Sequence, residues 1–173
     1  MNLQTPLNKT IVTTLKAGDF CTISGTIYTA RDAAHKRLVE ALANNEPLPF
    51  NLTDNIVFYV GPTPAKPGEI IGSCGPTTSY RMDDYAPILL DEGLRGMIGK
   101  GPRNETVVTS MKKNTAVYFA AIGGCGALLS QHVTSAKVIA YDDLGAEAVH
   151  ELVVKNFPVI VATDCLGDTL FKS

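Results

Sequence analysis

The chain has 173 residues, with 15 Lys or Arg against 17 Asp or Glu, so its formal net charge is −2 with the His residues neutral. Hydrophobic residues make up 45% of the sequence, which is enough to build a core and excludes a disordered chain. Charged residues make up 18%, below the roughly 25% of an average soluble protein, which suggests that another surface covers part of this one. Because basic residues are not in excess, we expect no nucleic-acid partner.

The sequence gives no sign of a membrane or secretory segment. It has no apolar run near the roughly 20 residues that span a bilayer, and its N-terminus has no hydrophobic signal core. We therefore expect a cytoplasmic protein that does not bind membranes. The cysteines are far apart and form no CxxC pair, so we expect buried thiols and no metal ligated by this chain alone. They are Cys21, Cys74, Cys125 and Cys165.

Two residue periodicities alternate along the chain. Runs rich in Ile, Val and Thr predict strands, whereas apolar residues spaced three and four positions apart predict helices. In chain order, the predicted elements are strands at 10–15 and 21–29, a helix at 31–45, strands at 56–60 and 69–73, a helix at 83–92, a strand at 96–98, a helix at 105–114, a strand at 116–122, a turn at 123–126 that leads into a helix ending at 131, a strand at 137–141, a helix at 146–156 and a strand at 159–163.

This order of elements predicts the fold class. Strand and helix alternate in the second half, which favours an α/β fold with a mixed sheet core and covering helices. The sequence has no linker and no internal repeat, so we expect residues 1–173 to form a single domain.

The start of the helix at 31–45 carries a capping-box pattern. Thr29 is followed three residues later by Asp32, a spacing that would start the helix at about Ala30. Arg31 would then lie in the first helical turn, and His35, one turn later, could share its face. The other two His residues fall late in predicted helices, where we expect a surface or packing role; they are His132 and His150.

Two glycine-containing turns resemble nucleotide-binding loops without matching them. For the Gly-Lys-Gly motif at 99–101, the Walker pattern needs a Gly at 94 and a Ser or Thr at 101, but the sequence has Leu and Gly there. Gly-Cys-Gly at 124–126 follows a predicted strand, but the third glycine position of a dinucleotide turn is Leu129. We therefore expect neither nucleotide hydrolysis nor a bound dinucleotide.

Three cationic side chains lie at the ends of predicted strands or the starts of helices. The hydroxyl run at 77–79 and Arg81 stand directly before a helix, so hydroxyls, backbone N–H groups and a guanidinium can converge on one anion. Arg31 lies at a helix start, and Lys100 lies between two glycines that leave room for a ligand. Because Arg can hold a carboxylate through two parallel hydrogen bonds, these cations meet the requirements for binding a small dicarboxylate. The residues alone equally allow ordinary surface salt bridges, and both interpretations stay open at this point.

Five segments resemble one known family, in order and over nearly the whole chain. They are Tyr-Thr-Ala-Arg-Asp-Ala-Ala-His-Lys-Arg at 28–37, Tyr-Val-Gly-Pro-Thr-Pro at 59–64, Gly-Ser-Cys-Gly-Pro-Thr-Thr-Ser-Tyr-Arg-Met-Asp at 72–83, Ile-Gly-Lys-Gly at 98–101 and Phe-Pro-Val-Ile-Val-Ala-Thr-Asp at 157–164. The resemblance is to the β-subunit, or C-terminal domain, of iron–sulfur-dependent hydro-lyases, the class I fumarase and L-tartrate dehydratase family. The Gly-Pro-Thr-Thr-Ser-x-Arg-Met block is highly specific, whereas Gly-Lys-Gly alone is weak.

The resemblance implies a fold and a partner. The domain would be a swivelling β/β/α unit that is active only against an α-subunit or N-terminal domain, whose three cysteines hold a [4Fe–4S] cluster. This chain would be the β-subunit of a two-subunit enzyme in an α2β2 or higher assembly, and its own residues would ligate no metal.

The resemblance also implies roles for individual residues. Three cations would hold the two substrate carboxylates, namely Arg31, Arg81 and Lys100. Thr77 would contact the substrate near the carbon that loses its proton, so the catalytic candidates are Thr77, Arg81 and Lys100. Two further residues, Asp32 and His35, would order the helix start and support Arg31.

The expected reaction is the reversible hydration of fumarate to (S)-malate, a step of the tricarboxylic acid cycle, by a cytoplasmic class I fumarate hydratase. The cluster would act as a Lewis acid, and the cations would stabilise charge on the substrate carboxylates. The blocks at 29–37 and 61–65 resemble the fumarase branch more closely. Two alternatives remain open: an L-tartrate dehydratase that converts tartrate to oxaloacetate, and a carboxylate-binding module without enzymatic activity.

Overall fold

Strands and helices alternate along the residues that the structure, a computed structural model, describes: 1–122 and 126–171. The strands are β1 (Asn2–Gln4), β2 (Phe20–Thr29), β3 (Ile56–Phe58), β4 (Gly96–Gly99), β5 (Val117–Ala121), β6 (Val133–Ala140) and β7 (Val149–Thr163). The α-helices are α1 (Lys9–Thr14), α2 (Asp32–Ala43), α3 (Ala86–Asp91), α4 (Glu105–Asn114) and α5 (Gly126–Ser130), and short 3-10 helices span Ser79–Met82 and Asp142–Glu147. Of the helices in these ranges, none is long and apolar enough to cross a membrane.

The strands form one mixed sheet that closes on itself. Their order is β1-β2-β3-β4-β5-β7-β6, and β2 pairs additionally with β7. The strands β2, β3, β4 and β5 pair in parallel, whereas β7 runs antiparallel to both β2 and β5. These five strands therefore make a barrel-like ring, and β1 and β6 extend it. The predicted α/β fold with a mixed sheet core and covering helices is confirmed.

Strands β3 and β4 are buried on both faces, and alternate residues of the ring strands pack into two separate cores. Phe58 and Phe119 belong to a cluster with residues from all five ring strands, so this cluster fills the ring. Val57, Met97 and Tyr118 point the other way and pack against residues of the helices. Burial on both faces explains why these strands appear in the sequence as nearly continuous apolar runs.

Two predicted elements exchange strand and helix. The segment at 10–15, predicted as a strand, is mostly helix α1, because the Asn8 side chain caps its start by accepting a hydrogen bond from the Ile11 N–H at 2.9 Å. The segment at 146–156, predicted as a helix, contains the first half of β7. There the backbone pairs with β2 on one side and β6 on the other, and this pairing outweighs the local helical pattern.

Further differences concern one predicted strand, the boundaries of other elements and a turn. The predicted strand at 69–73 is a loop, and the predicted helix at 83–92 contains α3, preceded by the 3-10 helix Ser79–Met82. The helix Glu105–Asn114 matches its predicted bounds. Of the predicted turn at 123–126, residues 123–125 lie outside the described ranges, and with them Cys125. Strands β2, β3, β4 and β5 agree with prediction to within two residues at their ends, and β6 begins four residues before its predicted start. The predicted strand at 159–163 is only the end of β7, which begins ten residues earlier, and β1 was not predicted.

Candidate active site

Three parallel strands end at one edge of the ring, and the predicted site residues gather there. Because β2, β3 and β4 are parallel neighbours, the residues that follow them lie at the same edge. Arg31 comes two residues after β2, and Lys100 comes directly after β4. Thr77 joins them because its backbone N–H donates to the Tyr59 carbonyl, just beyond β3, at 2.8 Å. Arg81 follows in the 3-10 helix of the same loop.

Arg31 is the N-cap residue of α2 and not a residue of its first turn. Its backbone is extended, with φ −107° and ψ −164°, and no side chain caps the helix. The capping box predicted from Thr29 is therefore wrong: the Thr29 hydroxyl accepts a hydrogen bond from the His150 N–H at 3.0 Å instead. Gly61 makes room for the Arg31 stem, because a Cβ there would lie 3.1 Å from Arg31 Cδ.

Asp32 joins the two arginines of the site. Its Oδ2 lies 2.9 Å from Arg81 Nε, and its Oδ1 lies 3.8 Å from Arg31 Nε. Glu147, from the 3-10 helix before β7, approaches Arg31 Nε at 3.7 Å. These side chains are partly exposed, where single ion pairs contribute only about 0–1 kcal/mol to folding. Their main effect is to orient the two guanidinium groups.

This cluster retains unused hydrogen-bonding capacity. Arg31 Nε and Asp32 Oδ1 are both buried, and neither has a hydrogen-bond partner among the described residues. A buried polar group without a partner costs free energy, roughly 1–3 kcal/mol by mutational measurements. A ligand or water that satisfies these atoms would therefore be favoured at this position.

His35 supports the backbone of Arg31 from the core. It is fully buried, its N–H donates to the Arg31 carbonyl at 2.8 Å, and its Nδ1 lies 2.9 Å from the same oxygen. Burial lowers the pKa of His35 to about 4, so the ring is neutral at pH 7. Since a carbonyl can only accept, we assign the proton to Nδ1.

Lys100 is fixed through its backbone to the loop that carries Thr77. Thr78 and Lys100 form a parallel bridge, the Ser79 N–H donates to the Lys100 carbonyl at 2.9 Å, and the Lys100 N–H donates to Ser79 Oγ at 2.9 Å. The glycine before the lysine serves this contact, because a Cβ on Gly99 would lie 1.9 Å from Ser79 Oγ. The room for a ligand that we expected at Gly99 is therefore filled by Ser79. At Gly101 the room is open, because no atom lies within 4 Å of its Cβ position.

The four predicted residues lie on a surface and not in an enclosed cavity. Arg81 has 48% of its side chain exposed, and Lys100 is exposed as well. A cavity of about 660 Å³ lies elsewhere, between the loop at 63–73 and the segment at 127–133, and none of the four residues lines it. A second surface would have to cover this edge before a bound ligand could be shielded from water.

Three charged residues near this edge are not among the predicted site residues. Glu147 falls in the predicted helix at 146–156, and its approach to Arg31 depends on a contact between distant segments. Asp83 and Arg103 form a buried ion pair between the two loops of the site. These are the loop that carries Thr77 and Arg81 and the segment that follows Lys100. Asp83 is the last residue of the specific block at 72–83, which was the one available signal.

The described residues do not fit an iron–sulfur cluster. Among them, no group of three or more His, Cys, Asp or Glu residues could hold a metal ion. Cys21, Cys74 and Cys165 are buried free thiols. Burial raises the pKa of Cys74 to about 11, so in the chain alone this residue is a neutral thiol at pH 7.

The architecture is that of a mixed α/β barrel with a hydroxyl- and cation-lined edge. The whole chain, residues 1–173, matches the family model described as Fumarase C-terminus, and the chain belongs to this family. The predicted family is thereby confirmed.

The relatives differ in length and in name. The chain is 40% identical over 172 residues to "Putative L(+)-tartrate dehydratase subunit beta" of Methanocaldococcus jannaschii, covering 96% of this chain and 88% of that protein. It is 37% identical over 152 residues to "Fumarate hydratase class I, aerobic" of Escherichia coli and 34% identical over 152 residues to "Fumarate hydratase 2" of Leishmania major. Each match covers 87% of this chain but only 28% and 27% of those proteins. Tartrate dehydratase and fumarate hydratase are both hydro-lyases, which confirms the predicted enzyme class.

Proposed function

We propose that this chain is the β-subunit of a two-subunit class I fumarate hydratase, which interconverts fumarate and (S)-malate. The observation that carries the proposal is the convergence of Arg31, Thr77, Arg81 and Lys100 at one edge of three parallel strands, in a chain of this family. The reaction is a cytoplasmic step of the tricarboxylic acid cycle.

In this proposal the cations bind the two carboxylates of the substrate. Arg31 and Arg81, oriented by Asp32, and Lys100, fixed through Ser79, form the positive side of the site. Removal of a proton next to a carboxylate increases the negative charge on that carboxylate in the transition state. Pre-oriented cations stabilise this charge more strongly than they stabilise the bound substrate, and this difference accelerates the reaction. Thr77 contacts the substrate near the carbon that loses its proton.

The partner would be an α-subunit that carries the [4Fe–4S] cluster, and the described residues, 1–122 and 126–171, would supply no ligand to it. The cluster, when bound to the partner, would supply Lewis-acid activation of the substrate hydroxyl. Two observations support a partner: Arg81 and Lys100 are exposed at this edge, and the chain spans only 28% of the Escherichia coli fumarate hydratase. The proposed assembly of the two subunits is α2β2 or higher.

L-tartrate dehydratase is the second candidate, because a relative named as its β-subunit is 40% identical and is covered over 88% of its length. Both substrates are dicarboxylates, so the same cations serve either, and the extra hydroxyl of tartrate has to be recognised elsewhere. We favour fumarate because the blocks at 29–37 and 61–65 resemble the fumarase branch.

The test is anaerobic co-expression with a cluster-bearing α-subunit, followed by reconstitution with iron and sulfide. We expect the pair to consume fumarate, measured as loss of its ultraviolet absorbance, and either subunit alone to be inactive. Turnover of tartrate without fumarate would contradict the substrate. A complex that forms and holds its cluster, but converts neither compound, would contradict the enzymatic function and favour a carboxylate-binding module.

A further inference from the structure

A buried ion pair lies between the two loops of the site. Arg103 Nε lies 2.7 Å from Asp83 Oδ1, and the two side chains are 0% and 6% exposed. The second carboxylate oxygen, Asp83 Oδ2, accepts the Asn104 N–H at 2.9 Å. Both oxygens of Asp83 therefore hold the segment that follows Lys100.

Two tyrosine rings enclose the guanidinium of Arg103. Its central carbon lies 5.1 Å from the centre of the Tyr59 ring and 5.0 Å from that of Tyr118, within the range of cation–π contacts. Its Nη1 also donates to Met97 Sδ at 3.3 Å. Burial raises the pKa of both tyrosines, that of Tyr118 to about 12, so both are neutral at pH 7. The charge of Arg103 is therefore balanced mainly by Asp83.

The pair joins the two segments that carry the site cations. Asp83 is two residues after Arg81, at the end of the 3-10 helix, and Arg103 is three residues after Lys100. The same segments are joined again by Tyr118, whose hydroxyl donates to the Gly101 carbonyl at 2.7 Å and lies 2.8 Å from Ser79 Oγ. The loops are thus connected on both sides of Arg81, at Ser79 and at Asp83.

Stability alone explains this ion pair poorly. Burying two charges costs about as much as their attraction returns, and an apolar pair of similar volume often stabilises a fold equally well. Arg103 Nη2 moreover has no hydrogen-bond partner among the described residues, which adds to the cost. Unlike an apolar pair, a hydrogen-bonded ion pair fixes the orientation of the two segments relative to each other.

We propose that Asp83 and Arg103 are positioning residues that set the placement of Arg81 relative to Lys100 for dicarboxylate binding. The inference rests on the proposed function for its ligand class and on the contacts above for its geometry. Neither side chain needs to touch the substrate, since each would act through the cation on its own segment.

The first measurement does not depend on enzymatic activity. In the full chain labelled with ¹⁵N-arginine, we expect Asp83→Asn to shift the Arg81 Nε–H signal and to speed its exchange with water. The Arg37 Nε–H signal, from a surface arginine paired with Asp143, should not change. An unchanged Arg81 signal in a folded variant would overturn the inference, whatever the enzyme's substrate is.

The second measurement is a double-mutant cycle on the reconstituted complex, with succinate as a non-reacting dicarboxylate probe. We expect Asp83→Asn to raise the succinate Kd about tenfold, or about 1.4 kcal/mol, but less than twofold when Arg81→Ala is already present. Equal effects in both backgrounds would contradict positioning through Arg81. Arg103→Lys, which keeps the charge, should weaken binding less than Arg103→Met does, and Asp91→Asn in the surface pair with Lys113 is the matched control.

The two measurements separate this inference from the proposed function. If the parent complex binds no succinate, yet Asp83→Asn still alters the Arg81 signal, then the ligand class is wrong and the positioning is right. If the parent binds succinate and Asp83→Asn changes neither the Arg81 signal nor the Kd, then the positioning is wrong and the proposed function stands. If Asp83→Asn does not fold, Arg103→Lys replaces it in both measurements. We then expect a shift of the Arg81 signal and a smaller rise in the succinate Kd, and no change in either would overturn the inference.

Discussion

At the scale of single residues, His35 is a buried imidazole whose contacts determine its charge. It is fully buried between α2 and the sheet, and the rings of Tyr59 and Tyr85 lie 5.3 and 5.9 Å from its own. Burial lowers its pKa from 6.5 to about 4, although the hydrogen bond to the Arg31 carbonyl opposes the shift. The fold is therefore built around a neutral His35.

This shift predicts a pH dependence of stability. Between pH 6.5 and 4, His35 binds a proton in the unfolded chain but not in the folded chain. Proton binding therefore favours the unfolded state as the pH falls. The stability linked to neutral His35, about 3 kcal/mol, is complete above pH 6.5 and is lost as the pH falls towards 4. We expect His35→Gln to reduce the slope of the unfolding free energy against pH in this window, measured by urea denaturation. Lys36→Gln, on the exposed side of the same helix, should keep the parental slope. An unchanged slope in His35→Gln would show that another group causes the pH dependence.

At the scale of elements, the 15-residue strand β7 completes the ring, because its two halves pair with different neighbours. Residues 151–154 pair with both β2 and β6, whereas residues 159 and 160 pair with both β2 and β5. Val154 points into the core and is 2% exposed, whereas Val153 is only partly buried. This alternation is typical of a strand and differs from the helix predicted over 146–156.

The alternation is testable with two matched substitutions. We expect Val154→Ala to lower the free energy of unfolding by about 2 kcal/mol, because it removes two methyl groups from the core. Val153→Ala should lower it by less than about 1 kcal/mol, because its side chain is partly solvated. Chemical denaturation measures both changes. A larger loss for Val153→Ala would contradict the strand register.

The elements that the sequence predicts correctly are those whose signal is local. The buried strand at 96–98 and the polar helix at 105–114 were predicted from their own residues. The roles of the site residues stay predictions, which depend on the blocks at 28–37, 72–83 and 98–101 and on the resemblance that these blocks carry. The type of β7 and the Asp83–Arg103 pair depend on segments far apart in sequence, and no local pattern encodes those contacts. Helix α1 was missed because one capping side chain, Asn8, outweighs a run of β-branched residues.

At the scale of the whole molecule, the fold separates the site from the parts that hold the chain together. The ring and the helices bury the apolar residues in two cores, whereas Arg81 lies at the edge with 48% of its side chain exposed. Its ion pair with Asp32 is partly solvated and contributes little to stability. A change at Arg81 should therefore affect the ligand more than the fold or the assembly.

Arg81→Ala in the reconstituted pair is expected to lower the turnover of fumarate by roughly a hundredfold or more, because one cation that stabilises the developing carboxylate charge is lost. Size-exclusion chromatography should show the same subunit complex, and the thermal midpoint should shift by no more than a few degrees. Arg37→Ala, which breaks the surface pair with Asp143, is the control and should keep parental activity. Activity near the parental level in Arg81→Ala would contradict its role in holding the substrate, whereas loss of the complex would assign the residue to the interface between the subunits.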